Sequence, residues 1–188
     1  ACGRNLKRVQ MELGGKNALV IMEDADFGQA TSNAAWGTWL HQGQICMATG
    51  LILAPKAIAG KLAETLAVKA QHLPVGNPVT DQVALGPLIS GQEASRIEGI
   101  VQDAVNKGAR LLAGGTANGT MFPATVLADV TPGMRAFDEE IFGPVAVVAA
   151  YDGEEDAVRL ANLSDFGLAA GIIGKDLGRA RALGDRLK

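Results

Sequence analysis

Short apolar runs alternate along the chain with longer stretches of helical periodicity. Residues 18–22 (Ala-Leu-Val-Ile-Met) form a continuous apolar run, which reads as a buried strand. Asp26 and Gln29 have the spacing of a capping box, and predict an Ala- and Gly-rich helix to about Leu40 that carries Trp36 and Trp39. Residues 50–54 read as a second strand. Residues 56–71 place Ile58, Leu62 and Leu66 on one helical stripe. A connection over 73–88 follows, broken by Pro74, Gly76, Pro78, Gly86 and Pro87. Ser90 and Glu93 form another capping box and open a helix that stops at Gly108, with Ile97, Val101, Ala104 and Val105 inward.

The second half keeps the alternation. Strands are predicted at 110–113, 125–127, 145–148 and 168–173, with a turn-rich polar loop at 114–120. Asp152 and Glu155 have capping-box spacing and predict a helix to about Asn162. Asp176 caps a last helix with Leu177, Ala180 and Leu187 on one face. Strands alternating with helices of this length indicate an α/β domain with a mostly parallel sheet. There is no internal repeat.

A length of 188 residues fits one domain. With 48% hydrophobic and 20% charged residues, disorder over most of the chain is excluded. A net charge of −3 without a basic patch, and only 4% aromatic residues, argue against a nucleic-acid partner. No apolar run approaches the roughly 20 residues that span a bilayer, so no membrane partner is expected. The first residues show neither a signal-peptide pattern nor an initiator Met, and read as an internal start. Two cysteines, Cys2 and Cys46, make no disulfide framework and fit a reducing cytoplasm. His41 and His72 lack ligand spacing, and no metal site is expected. A G-x-G-x-x-G fingerprint, a phosphate-binding P-loop and a G-x-S-x-G elbow are all missing.

Two segments carry candidate chemistry. Residues 11–17 (Met-Glu-Leu-Gly-Gly-Lys-Asn) place Glu12 beside an apolar residue and two glycines, just ahead of a buried strand. Glycines there permit a tight turn and close backbone approach. A Glu in a partly apolar pocket has a raised pKa and can serve as a general base; the plainer alternative is a solvated Glu before a turn. Residues 43–48 (Gly-Gln-Ile-Cys-Met-Ala) place Cys46 among small residues between a helix and a strand. An exposed, activated thiol there is a strong nucleophile; the alternative is a small buried hydrophobe.

Together these segments resemble the aldehyde dehydrogenase superfamily. Residues 11–18 resemble its Glu signature and residues 43–46 its Gly-Gln-x-Cys core. Glu23, Asp24, Ala25 and Asp26 resemble its Asp-Ala-Asp helix entry. Residues 139–145 (Glu-Glu-Ile-Phe-Gly-Pro-Val) are similar to its Glu-x-Phe-Gly-Pro cofactor motif. Residues 86–89 and 162–168 also fit, in the family's order, so the resemblance covers essentially the whole chain. It implies a three-layer α/β/α catalytic domain over residues 1–188. It also implies NAD- or NADP-dependent oxidation of an aldehyde to a carboxylic acid through a thiohemiacetal and a thioester on Cys46, with Glu12 as general base. The Cys46 N–H would form part of an oxyanion hole. Glu140 would bind the nicotinamide ribose, Phe142 would pack beside it, and Leu13 would reach the nicotinamide through its backbone.

Family members are much longer than this chain. The resemblance therefore implies that an N-terminal Rossmann-type cofactor domain and a C-terminal oligomerisation tail are absent, that the chain alone is inactive, and that the full-length protein is a homo-oligomer. Leu51 stands where the family usually has Arg, Trp39 where a smaller apolar residue is usual, Phe27 where Leu is commoner, and Ala124 where many members have Thr. Residues 41–47 are similar to members acting on aromatic aldehydes of the benzaldehyde, vanillin and salicylaldehyde types. Two other readings stay open: a cofactor-free thiol esterase or acyl transferase using Cys46 and Glu12, and a truncated non-catalytic module.

Overall fold

The computed structural model describes residues 2–188. Six strands form: β1 (Asn17–Ile21), β2 (Thr49–Pro55), β3 (Arg110–Ala113), β4 (Thr125–Ala128), β5 (Val145–Tyr151) and β6 (Ala170–Ile173). The helices are α1 (Phe27–Trp39), α2 (Lys56–Gln71), α3 (Gly91–Asn106), α4 (Arg135–Asp138), α5 (Gly153–Ala161) and α6 (Leu177–Gly184). The sheet order is β3-β4-β5-β2-β1-β6. All neighbours pair in parallel except β3, which pairs antiparallel with β4.

The apolar runs of the inner strands are continuous because these strands are covered on both faces. Side chains alternate along each strand. Ala18 and Val20 of β1, Leu51 and Leu53 of β2, and Val145 and Val147 of β5 join one core cluster with α3, α5 and Leu183 of α6. Leu19 and Ile21, Ile52 and Ala54, and Ala146 and Val148 join the other with α1 and α2. The result is the expected three-layer α/β/α arrangement. Leu51, where the resemblance implies an Arg, is buried in the first cluster and makes apolar contacts. No helix among the described residues is long and apolar enough to cross a membrane.

The caps at Asp26, Ser90 and Asp176 form as expected, each side chain accepting from the N–H three residues on. The third capping box does not. Asp152 makes no side-chain cap bond, because Lys56 at the start of α2 takes its carboxylate at 2.8 Å. The Asp152 N–H instead donates to Asp156 at 3.0 Å. The last strand begins at Ala170, not Leu168. The four-residue helix α4 falls in a segment that periodicity cannot resolve. An Arg135–Glu139 pair at 2.7 Å spans it.

Candidate active site

β1, β2 and β5 are parallel neighbours, so their amino-terminal ends lie along one edge of the sheet. Gly14 and Gly15 enter β1, residues 45–48 enter β2, and residues 139–144 enter β5. The candidate residues therefore converge on the amino edge, opposite the carboxyl edge where open α/β sheets ordinarily bind ligands. Unpaired N–H groups are available where strands begin. The Gly15 N–H donates to Glu140 Oε1 at 2.8 Å. Gly15, Ile45, Ala48, Glu140, Phe142 and Gly143 line one small cleft, which joins the residues flanking Cys46 to the Glu140–Phe142 segment.

The turn before Cys46 is strained. His41, Gln42 and Gly43 are all left-handed, at φ 51°, 58° and 67°. Two consecutive non-glycine residues in this region require support from their surroundings. Gly43 has a further reason to lack a side chain: a Cβ would run into the Gly143 carbonyl. The support comes from residues 86–89. In the amide orientation its neighbours dictate, Gln42 accepts from the Gly86 N–H at 2.8 Å and donates to the His41 carbonyl at 3.0 Å. Gln44 accepts from the Ile89 N–H at 2.9 Å and donates to the Pro87 carbonyl at 3.3 Å. The Pro-broken connection thus braces the turn that leads to Cys46. Cys46 itself is exposed, and its N–H has no hydrogen-bond partner among the described residues.

Behind the cleft, Lys16 is buried and donates from Nζ to the Ala136 carbonyl at 2.7 Å. Burial pushes its pKa down to about 7, against the opposing pull of Asp138, Glu139 and Glu140. Arg96 donates to the Ile141 carbonyl at 2.5 Å and to the Glu140 carbonyl at 3.4 Å. The Arg135 guanidinium holds the Glu139 carboxyl below the usual carboxylate range. These bonds fix the path that delivers Glu140. Sequence reasoning missed Lys16, Arg96 and α4; the Arg135–Glu139 spacing is the one local signal of that helical turn.

Glu12 departs from expectation. It is exposed, and its one side-chain hydrogen bond among the described residues comes from Gln10 at 3.3 Å. The partly apolar pocket expected around it is not built by these residues, because the segment leading to Gly14 packs under no other element. Leu13 is exposed as well. Phe142 is partly exposed, with its backbone left-handed at φ 52°. The two tryptophans part company: Trp39 is buried at 4% exposure and Trp36 stands out at 68%. Both line an apolar groove of about 470 Å³ between α1 and α2, whose walls do not include Cys46.

Residues 1–188 match the Aldehyde dehydrogenase family throughout. The chain belongs to the aldehyde dehydrogenase family. A vanillin dehydrogenase of Amycolatopsis sp. is 48% identical over 187 residues, covering 100% of this chain and 38% of the relative. A benzaldehyde dehydrogenase [NAD(+)] of Pseudomonas putida is 48% identical over 186 residues, covering 99% and 38%. The solved salicylaldehyde dehydrogenase of Pseudomonas putida G7, complexed with salicylaldehyde, superposes with a TM-score of 0.93 at 40% identity, covering 99% of this chain and 39% of that one. This aldehyde dehydrogenase chain thus spans under two-fifths of the length of these three relatives, and over its span it shares the fold of the solved salicylaldehyde dehydrogenase.

Proposed function

We propose that this chain is the nucleophile-bearing catalytic domain of an NAD- or NADP-dependent dehydrogenase acting on aromatic aldehydes. The observation that carries the reading is the convergence on one sheet edge of an exposed cysteine and a carboxylate already fixed to the Glu-motif backbone. Cys46 Sγ attacks the aldehyde carbonyl, giving a thiohemiacetal, and the free Cys46 N–H donates to the developing oxyanion. The acyl group is then carried as a thioester on Cys46, and Glu12 activates the water that releases the carboxylic acid. Among the described residues the Glu12 carboxylate is bonded only by Gln10, two residues away and exposed, so it is free to turn toward the acylated sulfur.

The residues present fit a nicotinamide dinucleotide. Glu140 spends one oxygen on the Gly15 N–H, and its other oxygen has no hydrogen bond among the described residues, which suits a ribose hydroxyl. Gly14 leaves room for that carboxylate, since a Cβ there would collide with it. Phe142 offers an exposed ring face beside it, and the Leu13 backbone completes the approach. When bound, the nicotinamide supplies a hydride acceptor. The remaining dinucleotide contacts belong to the sequence that the relatives have beyond this match, so the isolated chain turns over no aldehyde. The aromatic preference follows the three relatives' substrates, and the full-length protein is a homo-oligomer in the cytoplasm.

Alkylation by iodoacetamide across pH, resolved by peptide mass spectrometry, tests the nucleophile. Cys46 is expected to react faster than Cys2 at about pH 6, as an activated thiol does. Equal rates, or a slower Cys46, would count against an activated nucleophile in this domain.

A further inference from the structure

Asn17 is an unusual choice for the start of a central, fully buried strand. Asn is depleted in strands, and a buried amide costs free energy unless it is hydrogen-bonded. Asn17 is only 6% exposed, and its amide is spent on three backbone groups. Nδ2 donates to the Cys46 carbonyl and to the Ala48 carbonyl, both at 2.8 Å. Oδ1 accepts from the Ala169 N–H at 3.1 Å. One side chain on β1 therefore ties together the entries of β2 and β6.

The space for this amide is reserved. A Cβ on Gly15 would lie 2.7 Å from the Cys46 carbonyl oxygen and 3.0 Å from Asn17 Oδ1. The glycine thus allows the nucleophile's carbonyl and the Asn17 amide to meet. The turn is closed on its other side by the Ala48 N–H, which donates to the Ile45 carbonyl at 3.0 Å. With the carbonyls on both sides of Cys46 held, its backbone orientation is fixed and the side-chain rotation remains. No other side chain among the described residues bonds the Cys46 backbone.

From this geometry we infer that Asn17 is a positioning residue for the nucleophile, acting through the Cys46 and Ala48 carbonyls. The inference rests on the reading of Cys46 as nucleophile. Orientation matters at this level because small misplacements of a reacting group cost large factors in rate.

The test compares iodoacetamide alkylation of Cys46 and Cys2 in the 188-residue chain, wild type against Asn17→Ala and Asn17→Asp, across pH, alongside thermal unfolding. Asn17→Asp keeps size and the acceptor for Ala169 but turns oxygen toward two carbonyls. The expected result is a fall of about tenfold in the Cys46-to-Cys2 rate ratio in both variants. Asn17→Ser, which keeps a donor on a shorter stem, is expected to recover part of the ratio. It also serves as the readable variant if the other two do not fold. A lowered unfolding midpoint with an unchanged ratio and pH profile overturns the inference and leaves Asn17 a purely structural amide. A wild-type ratio at or below one at about pH 6 would instead overturn the nucleophile reading.

Discussion

The Gly15 N–H donates to the Glu140 carboxylate at 2.8 Å, across 125 residues of sequence. This single bond joins the Glu motif to the Glu-x-Phe-Gly-Pro motif and places both at the mouth of β1. It also defines what each partner contributes. Glu140→Ala leaves the Gly15 N–H without its acceptor and is expected to lower stability by about 1–3 kcal/mol. Glu140→Gln keeps an acceptor and is expected to cost less than about 1 kcal/mol. Urea unfolding of the two variants separates the outcomes; equal losses would show that the carboxylate charge, not the acceptor, holds the motif.

The two glycines of the Glu motif are expected to respond differently to a methyl group. At Gly14 the new Cβ meets the end of the Glu140 side chain, which can swing aside. At Gly15 it meets the Cys46 backbone carbonyl at 2.7 Å, which cannot move without shifting the turn. Gly15→Ala should therefore carry an overpacking cost of about 1–3 kcal/mol on top of a shifted Cys46 turn, whereas Gly14→Ala costs at most the Gly15–Glu140 bond, so Gly15→Ala should destabilise more. Thermal unfolding ranks them, and the reverse order would contradict the geometry.

Lys16 gives a pH dependence whose sign is fixed. Its pKa falls from 10.5 to about 7 on folding, so between those values the unfolded chain binds more protons than the folded one. Stability then rises with pH through that window, and the cost of the buried charge is fully felt below about pH 7. Lys16→Met removes this slope. Urea midpoints at neutral and alkaline pH should diverge for the wild type and stay close for the variant. Parallel curves would show that Lys16 remains charged throughout.

Gln44 braces residues 86–89 against the turn that leads to Cys46. Gln44→Ala frees the Ile89 N–H and the Pro87 carbonyl, both on an exposed segment. The expected cost in global stability is small, about 0.5–1.5 kcal/mol. Local opening should be larger, because loosely held loops open without unfolding the core. Hydrogen exchange at the Ile89 amide should accelerate at least about tenfold while core amides of β2 keep their protection. Unchanged exchange at Ile89 would remove Gln44 from the brace.

Much of this architecture is legible in the sequence, for physical reasons that particular residues show. Helix α2 has the predicted bounds because Leu62 and Leu66 repeat on one stripe. The inner strands β1, β2, β4 and β5 are found because residues buried on both faces leave continuous apolar runs. Helix α4 is too short to carry periodicity. The Asp152 cap fails because Lys56, far away in sequence, competes for its carboxylate. At the site, Cys46 and Glu140 stand out through their neighbours in sequence. Asn17 does not: its role depends on carbonyls 29 and 31 residues away and on an amide 152 residues away. Glu12 shows the opposite limit, a motif residue whose pocket this span does not build.

If this span supplies the nucleophile of an aromatic-aldehyde oxidation, it should do so inside a full-length dehydrogenase. Residues 1–188 replace the matching segment of the Pseudomonas putida benzaldehyde dehydrogenase, to which they are 48% identical, and NADH formation from benzaldehyde is followed. The folded chimaera is expected to turn over benzaldehyde. Cys46→Ala should lower the rate at least about 1,000-fold, and Glu12→Gln about 100-fold or more. A chimaera that folds and binds NAD but forms no NADH, or one that keeps its activity after Cys46→Ala, would contradict that assignment of the nucleophile.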